Sequence, residues 1–172
     1  MSLKGEYMGM PVSIDDLDRD NQDFYRYCGQ NELRVQTCKV CEMKRLPPTS
    51  ACPFCSAEGS YWTRVIGRGV VYSYGEVHHA IQGAFRSHVP YQLLLVELDE
   101  QKGKPGEFDG LRLQGNLAEP DGSLACFETV QRVGIGSRVK VIFRKMGDEI
   151  AMPLWAIDEE HEQTNIWRYP IE

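Results

Sequence analysis

The sequence predicts a mainly β chain built from an N-terminal helical segment, a small metal-clipped ribbon and a five-stranded barrel. Three observations carry this. Cys38-Lys39-Val40-Cys41 is followed, after ten residues, by Cys52-Pro53-Phe54-Cys55. From Gly67 onward the apolar residues recur at the period of strands, whereas helical spacing is confined to residues 13–29. Turn-rich loops then cut the second half into five apolar runs. The expected division is 1–32 helical segment, 33–66 ribbon, 67–157 barrel and 158–172 an acidic and aromatic tail.

The helical segment starts at Ser13, with Ile14 and Leu17 apolar. Asp20 suits the N-cap of its clearer part, Phe24, Tyr27 and Cys28 follow at helical spacing, and Gly29 suits C′. Its acids crowd the N-terminal part, as the helix dipole prefers. Phe24, Tyr25 and Tyr27 give it more aromatic surface than a short helix on a ribbon can bury, which makes them candidates for docking a partner or for self-association. Met1-Ser2-Leu3 reads as a cloning remnant without structural weight.

Leu33, Val35 and Thr37 alternate into the first cysteine pair, Met43 to Leu46 returns from it, and Tyr61, Thr63 and Val65 follow the second. Two residues between cysteines let a tight turn aim both sulfurs at one point. A second such turn supplies two more, so Cys38, Cys41, Cys52 and Cys55 are the expected ligands of one tetrahedral ion. Zn²⁺ is favoured, and iron fits the same cage. Two disulfides would need an oxidising compartment, yet no apolar leader precedes the cysteines, which argues for a cytoplasmic location. A thioredoxin-like motif would need a βαβ setting that neither pair has. Cys28 and Cys126 are left over and read as reduced, buried thiols.

In the barrel half, Val70 to His78 reads as a long first strand with a bulge at Gly75. Tyr91–Glu97, Leu111–Leu117, Arg138–Phe143 and Ala151–Ile157 follow, with Gly134-Ile135-Gly136 as the turn before the fourth. Five strands of this kind suit a small closed barrel of the OB type. No catalytic constellation stands out. His78 and His79 are neighbours on a strand and point to opposite faces, one inward and one exposed. Nothing brings Cys126 and His88 together as nucleophile and base. Gly67-Arg68-Gly69 is too short for a phosphate-cradling loop and precedes a strand instead of a helix.

Charge narrows the function further. The 172 residues carry net −6, with residues 1–32 at −4 (seven acids, three bases) and 158–172 at −4 (five acids, one base). The ribbon is basic, and Arg34, Lys39, Lys44, Arg45 and Arg64 are expected to balance the −2 charge of a zinc–tetrathiolate site. An acidic chain without an uncompensated basic face is a poor ligand for a phosphate backbone. No apolar run approaches the ~20 residues that span a bilayer.

Leu46-Pro47-Pro48 between the two cysteine pairs, Cys52-Pro53-x-Cys55, Gly67-Arg68-Gly69-Val70-Val71-Tyr72-Ser73-Tyr74 and Val77-His78 carry a resemblance. So do Pro90-Tyr91, Leu95-Val96-Glu97-Leu98, Gly115-Asn116-Leu117 and Gly136 before Val139-Lys140-Val141. Over about residues 20 to 157 the chain resembles the acyl-CoA-associated OB-fold family, long filed as a domain of unknown function, with its N-terminal rubredoxin-like zinc ribbon. It departs from that family in a longer 101–110 loop and in the charged tail. The resemblance implies a non-catalytic subunit that docks on a thiolase-like or related acyl-CoA enzyme and helps to bind the acyl-CoA, with Arg68, Arg86 and Arg112 as candidate phosphate contacts. The alternative is a nucleic-acid-binding ribbon and barrel, with Tyr72, Tyr74 and Phe143 stacking bases. A free-standing acyl-CoA enzyme is the third reading, which the missing constellation disfavours.

Overall fold

The computed structural model describes Met1–Pro170; Ile171 and Glu172, the end of the expected tail, lie outside it. Its first element is not helical. Leu3–Tyr7 (β1) and Met10–Ile14 (β2) form an antiparallel hairpin with Tyr7 opposite Met10. Met8 and Gly9 turn between them, both at positive φ (53° and 77°), the conformation that matches the twist of a two-residue hairpin. The helix expected from Ser13 therefore starts later, as Arg19–Gly29 (α1), with Asp18 as N-cap in place of Asp20. The Asp18 carboxylate accepts the Asn21 N–H at 3.3 Å. Leu3 and Tyr7 are buried, so the opening residues are structural.

Arg34–Cys38 (β3) is the centre of a three-stranded antiparallel sheet, flanked by Lys44–Arg45 (β4) and Ser60–Arg64 (β5). Leu33 and Val35 are buried under α1, while Gln36 and Arg45 form a polar core. Arg45 donates to Gln36 and to the Thr49 carbonyl, and Gln36 donates on to Asp20. Arg34 and Arg64 pair with Glu32. Expected to balance the thiol cluster, these two arginines instead pair with the carboxylate of Glu32, just before β3.

The remaining strands, Arg68–Val77 (β6), Tyr91–Leu98 (β7), Arg112–Asn116 (β8), Arg138–Lys145 (β9) and Ala151–Ile157 (β10), form one sheet in the order β10-β9-β6-β7-β8. A parallel bridge between Leu117 and Trp155, with the Ala118 N–H donating to the Trp155 carbonyl at 2.8 Å, joins its two ends. That closure is the mark of the OB barrel. Val71, Leu94, Val96, Leu98, Leu154 and Trp155 fill its interior. The bulge lies at Tyr72, where the register with β7 shifts, and not at Gly75, which pairs regularly with Leu93. Phe127–Arg132 (α2) is a short helix between β8 and β9 that the strand periodicity does not announce.

The chain divides into two compact units. One comprises Met1–Ile66, Glu100–Leu111 and Phe143–Pro153; the other comprises Gly67–Asp99, Arg112–Ile142 and the residues from Leu154 onward. β9 and β10 contribute residues to both. Among the described residues no helix is long and apolar enough to cross a membrane.

Candidate metal centre

Each cysteine pair opens with a buried residue, Cys38 at the end of β3 and Cys52 just after the isolated bridge of Ala51 with Glu58. The two turns that follow are copies of each other. The Cys38 N–H donates to the Met43 carbonyl and its carbonyl accepts the Glu42 N–H; Cys52 does the same with Ala57 and Ser56. In both, the residue after the second cysteine is left-handed: Glu42 at φ 60°, Ser56 at φ 61°. Neither is glycine, so this part of the geometry has no signature in the sequence. The backbone N–H of Val40 points at the Cys38 sulfur, 3.4 Å away.

The four sulfurs lie within 4.8 Å of one another. Cys38 and Cys55 are 3.7 Å apart, Cys41 and Cys52 3.6 Å. A tetrahedron of ~2.3 Å metal–sulfur bonds requires edges of about 3.8 Å, so the spacing fits one ion bound by all four. Four protein ligands would leave no open position for a reacting water. The protons of the cluster are unequally held. Backbone N–H groups of Cys41 and Val40 draw Cys38 down to about 6. Burial pushes Cys52 up, but the N–H groups of Cys55 and Phe54 and the neighbouring sulfurs outweigh it and leave the thiol below its ordinary value. The Met43 N–H pulls Cys41 down, yet burial and the three other sulfurs hold it at about 12. Metal ions take thiolates, and the N–H groups aimed at Cys38 and Cys52 favour that form.

The other expected site residues are scattered. Arg68 is bonded to Glu160, which raises its pKa and lowers that of its partner, and it also faces the buried Asp158. Arg112 pairs with Glu97 at 2.9 Å and lies 3.7 Å over the Tyr72 ring. Arg86 is exposed on the 3₁₀ turn Gly83–His88. Phe24 is buried at 5% exposure, which removes it from any docking surface. Tyr27 packs on Trp62 (5.4 Å between rings) under the Arg34 guanidinium, and Tyr25 is half-buried. β6 ends at Val77, so His78 and His79 are both exposed instead of alternating, and His78 pairs with Glu76. Cys126 is exposed at the start of α2, not buried, because only Val130 of that short helix faces the core. Cys28 is buried as expected, and burial pushes its thiol up to about 12. Sequence reasoning missed Gln101, whose buried amide donates to the Lys44 carbonyl and accepts its N–H, both at 2.8 Å, so bracing β4.

Residues 62–144 match the family model of the C-terminal OB-fold domain of ChsH2. Over this segment the chain is similar to that OB-fold family. Over 141 residues, 81% of its length, the chain is 30% identical to the probable enoyl-CoA hydratase alpha subunit of Thermomonospora curvata, and it spans 38% of that relative. The ChsH2-type fold also relates it to the solved structure of an Ltp2–ChsH2(DUF35) aldolase, with 28% identity and a TM-score of 0.64, covering 84% of this chain and 98% of the other. A DUF35-family protein of unknown function from Sulfolobus solfataricus shares the fold at 15% identity and a TM-score of 0.50, covering 82% and 87%.

Proposed function

We propose that this chain is a zinc-binding, non-catalytic subunit of an acyl-CoA enzyme, docking on a catalytic partner of the thiolase-like or a related class and helping to receive the acyl-CoA. The observation that carries the reading is the pairing of a ChsH2-type barrel with a closed four-thiol site. A metal held by four thiolates stabilises a scaffold and cannot also activate a water, so the ribbon's role is to present surface. The relatives point the same way: one is named as a subunit of a hydratase, the other is a structure of an aldolase assembly.

With Phe24 internal, docking falls to residues the ribbon unit exposes, among them Leu17, Val40, Phe54 and Tyr61, with Tyr25 and Tyr27 at the flank of α1. Of the three arginines, Arg86 is the one suited to a CoA phosphate, since Arg68 and Arg112 are engaged by carboxylates. The test is co-purification from the native host followed by activity assays with and without this chain. An acyl-CoA enzyme that loses activity or stability when deprived of it supports the reading. A chain that purifies alone and leaves such enzymes unaffected overturns it.

A further inference from the structure

The four cysteines are not equivalent. Cys38 and Cys52 are 0% and 2% exposed, whereas Cys41 is half-buried and Cys55 is open to solvent. Each pair thus opens with a sheltered cysteine and closes with a more accessible one. Two close sulfur–sulfur approaches cross from one turn to the other, and each joins a sheltered cysteine to a more accessible one: Cys38 with Cys55 at 3.7 Å, Cys41 with Cys52 at 3.6 Å.

We propose that the cluster is also a redox latch: hydrogen peroxide oxidises Cys55 first, and Cys38 from the other turn closes a disulfide onto it. This rests on the metal-site reading above. The Cys55 thiolate attacks the peroxide O–O bond, forming a sulfenic acid and releasing hydroxide, which takes a proton to become water. The Cys38 thiolate then attacks the Cys55 sulfur, the S–O bond breaks, and a second hydroxide leaves and is protonated. Two thiolates lose two electrons and the peroxide gains them, ending as two waters. Two remaining thiolates cannot hold the ion. The new bond spans the same two turns that the metal bridged, so it keeps the ribbon closed after the ion has gone. A dithiol reductant with fresh metal restores the original state. Sheltering of Cys38 reserves it for the sulfenic acid, because peroxide reaches Cys55 sooner.

The test uses the full chain purified with Zn²⁺, titrated with hydrogen peroxide in the presence of a chromophoric zinc chelator. After free thiols are blocked with N-ethylmaleimide, the disulfides are mapped by fragmentation mass spectrometry. The expected result is about one equivalent of zinc released per peroxide consumed, a Cys38–Cys55 link, and full recovery with dithiothreitol and zinc. Cys126→Ser, which removes the exposed thiol outside the cluster, should release zinc at an unchanged rate. A Cys52–Cys55 link, irreversible oxidation, or zinc retained while Cys126 is oxidised would overturn the latch and leave the metal site standing. A chain that binds no zinc at all would overturn both.

Discussion

Single residues show where chemistry and packing diverge. Gly29 suits a helix C-terminus by its type, yet the left-handed residue there is Asn31, at φ 60°, with the Glu32 N–H donating back to the Tyr27 carbonyl. Gly29 is glycine for a different reason: a Cβ would stand 2.0 Å from the Glu149 carbonyl oxygen. Gly29→Ala should therefore cost at least about 2 kcal/mol despite its better helix propensity, read as a drop in unfolding midpoint. Cys28 gives a pH prediction. Its thiol is raised from 9.0 to about 12 by burial. Below about pH 9 it is protonated in both states and its burial fully favours folding. Between 9 and 12 the unfolded chain ionises while the folded one resists, so as much as about 4 kcal/mol is lost over that window. Urea midpoints measured from pH 8 to 11 should fall, and Cys28→Ala should flatten the fall. At pH 7, thiol reagents should modify Cys126 in the native zinc-loaded chain and spare Cys28.

At the scale of elements, the proposed ion is what would hold the ribbon. The free energy of a structural zinc site, about 10–16 kcal/mol in small domains, exceeds anything the polar pair Gln36 and Arg45 supplies. Cys38→Ser should abolish stoichiometric metal binding and unfold the ribbon, followed by loss of Trp62 fluorescence structure and of amide protection in β3 to β5. Chelation should do the same to the unaltered protein. The strands of the barrel were legible because burial alternates along them: β7 reads half-buried, buried, half-buried, buried through its eight residues. The cluster of Cys38, Cys41, Cys52 and Cys55 is legible because the spacing alone defines the two turns that bring its sulfurs together. The β1–β2 hairpin was not, since its turn uses Met8 at positive φ where Asn or Gly would have announced it, although Leu3, Gly5, Tyr7, Val12 and Ile14 do alternate. Phe24 leaves the docking surface for a related reason: aromatic spacing on α1 says that the ring faces something, and Phe24 faces the chain's own core. Deleting residues 1–14 should therefore destabilise the ribbon unit, because Glu6 donates to the Met146 carbonyl and Leu3 and Tyr7 are core, yet leave the ion bound.

On the scale of the molecule, net charge decides against the nucleic-acid reading. At −6 overall, with the basic Arg34, Arg64, Arg68, Arg112 and Arg138 each paired to a carboxylate, few counterions can be displaced from a phosphate backbone. Binding to single-stranded DNA or RNA at about 150 mM salt should be weaker than micromolar; a tighter affinity with a steep salt slope would reverse that conclusion. The central claim, a metal-fixed scaffold that serves a catalytic partner without doing the chemistry, is tested most directly by acyl-CoA turnover measured on two samples. One is the zinc-loaded chain alone; the other is the assembly that co-purifies with it from the native host. No turnover is expected from the chain alone, and turnover by the assembly should fall when the chain carries Cys38→Ser. Turnover by the isolated chain would contradict it.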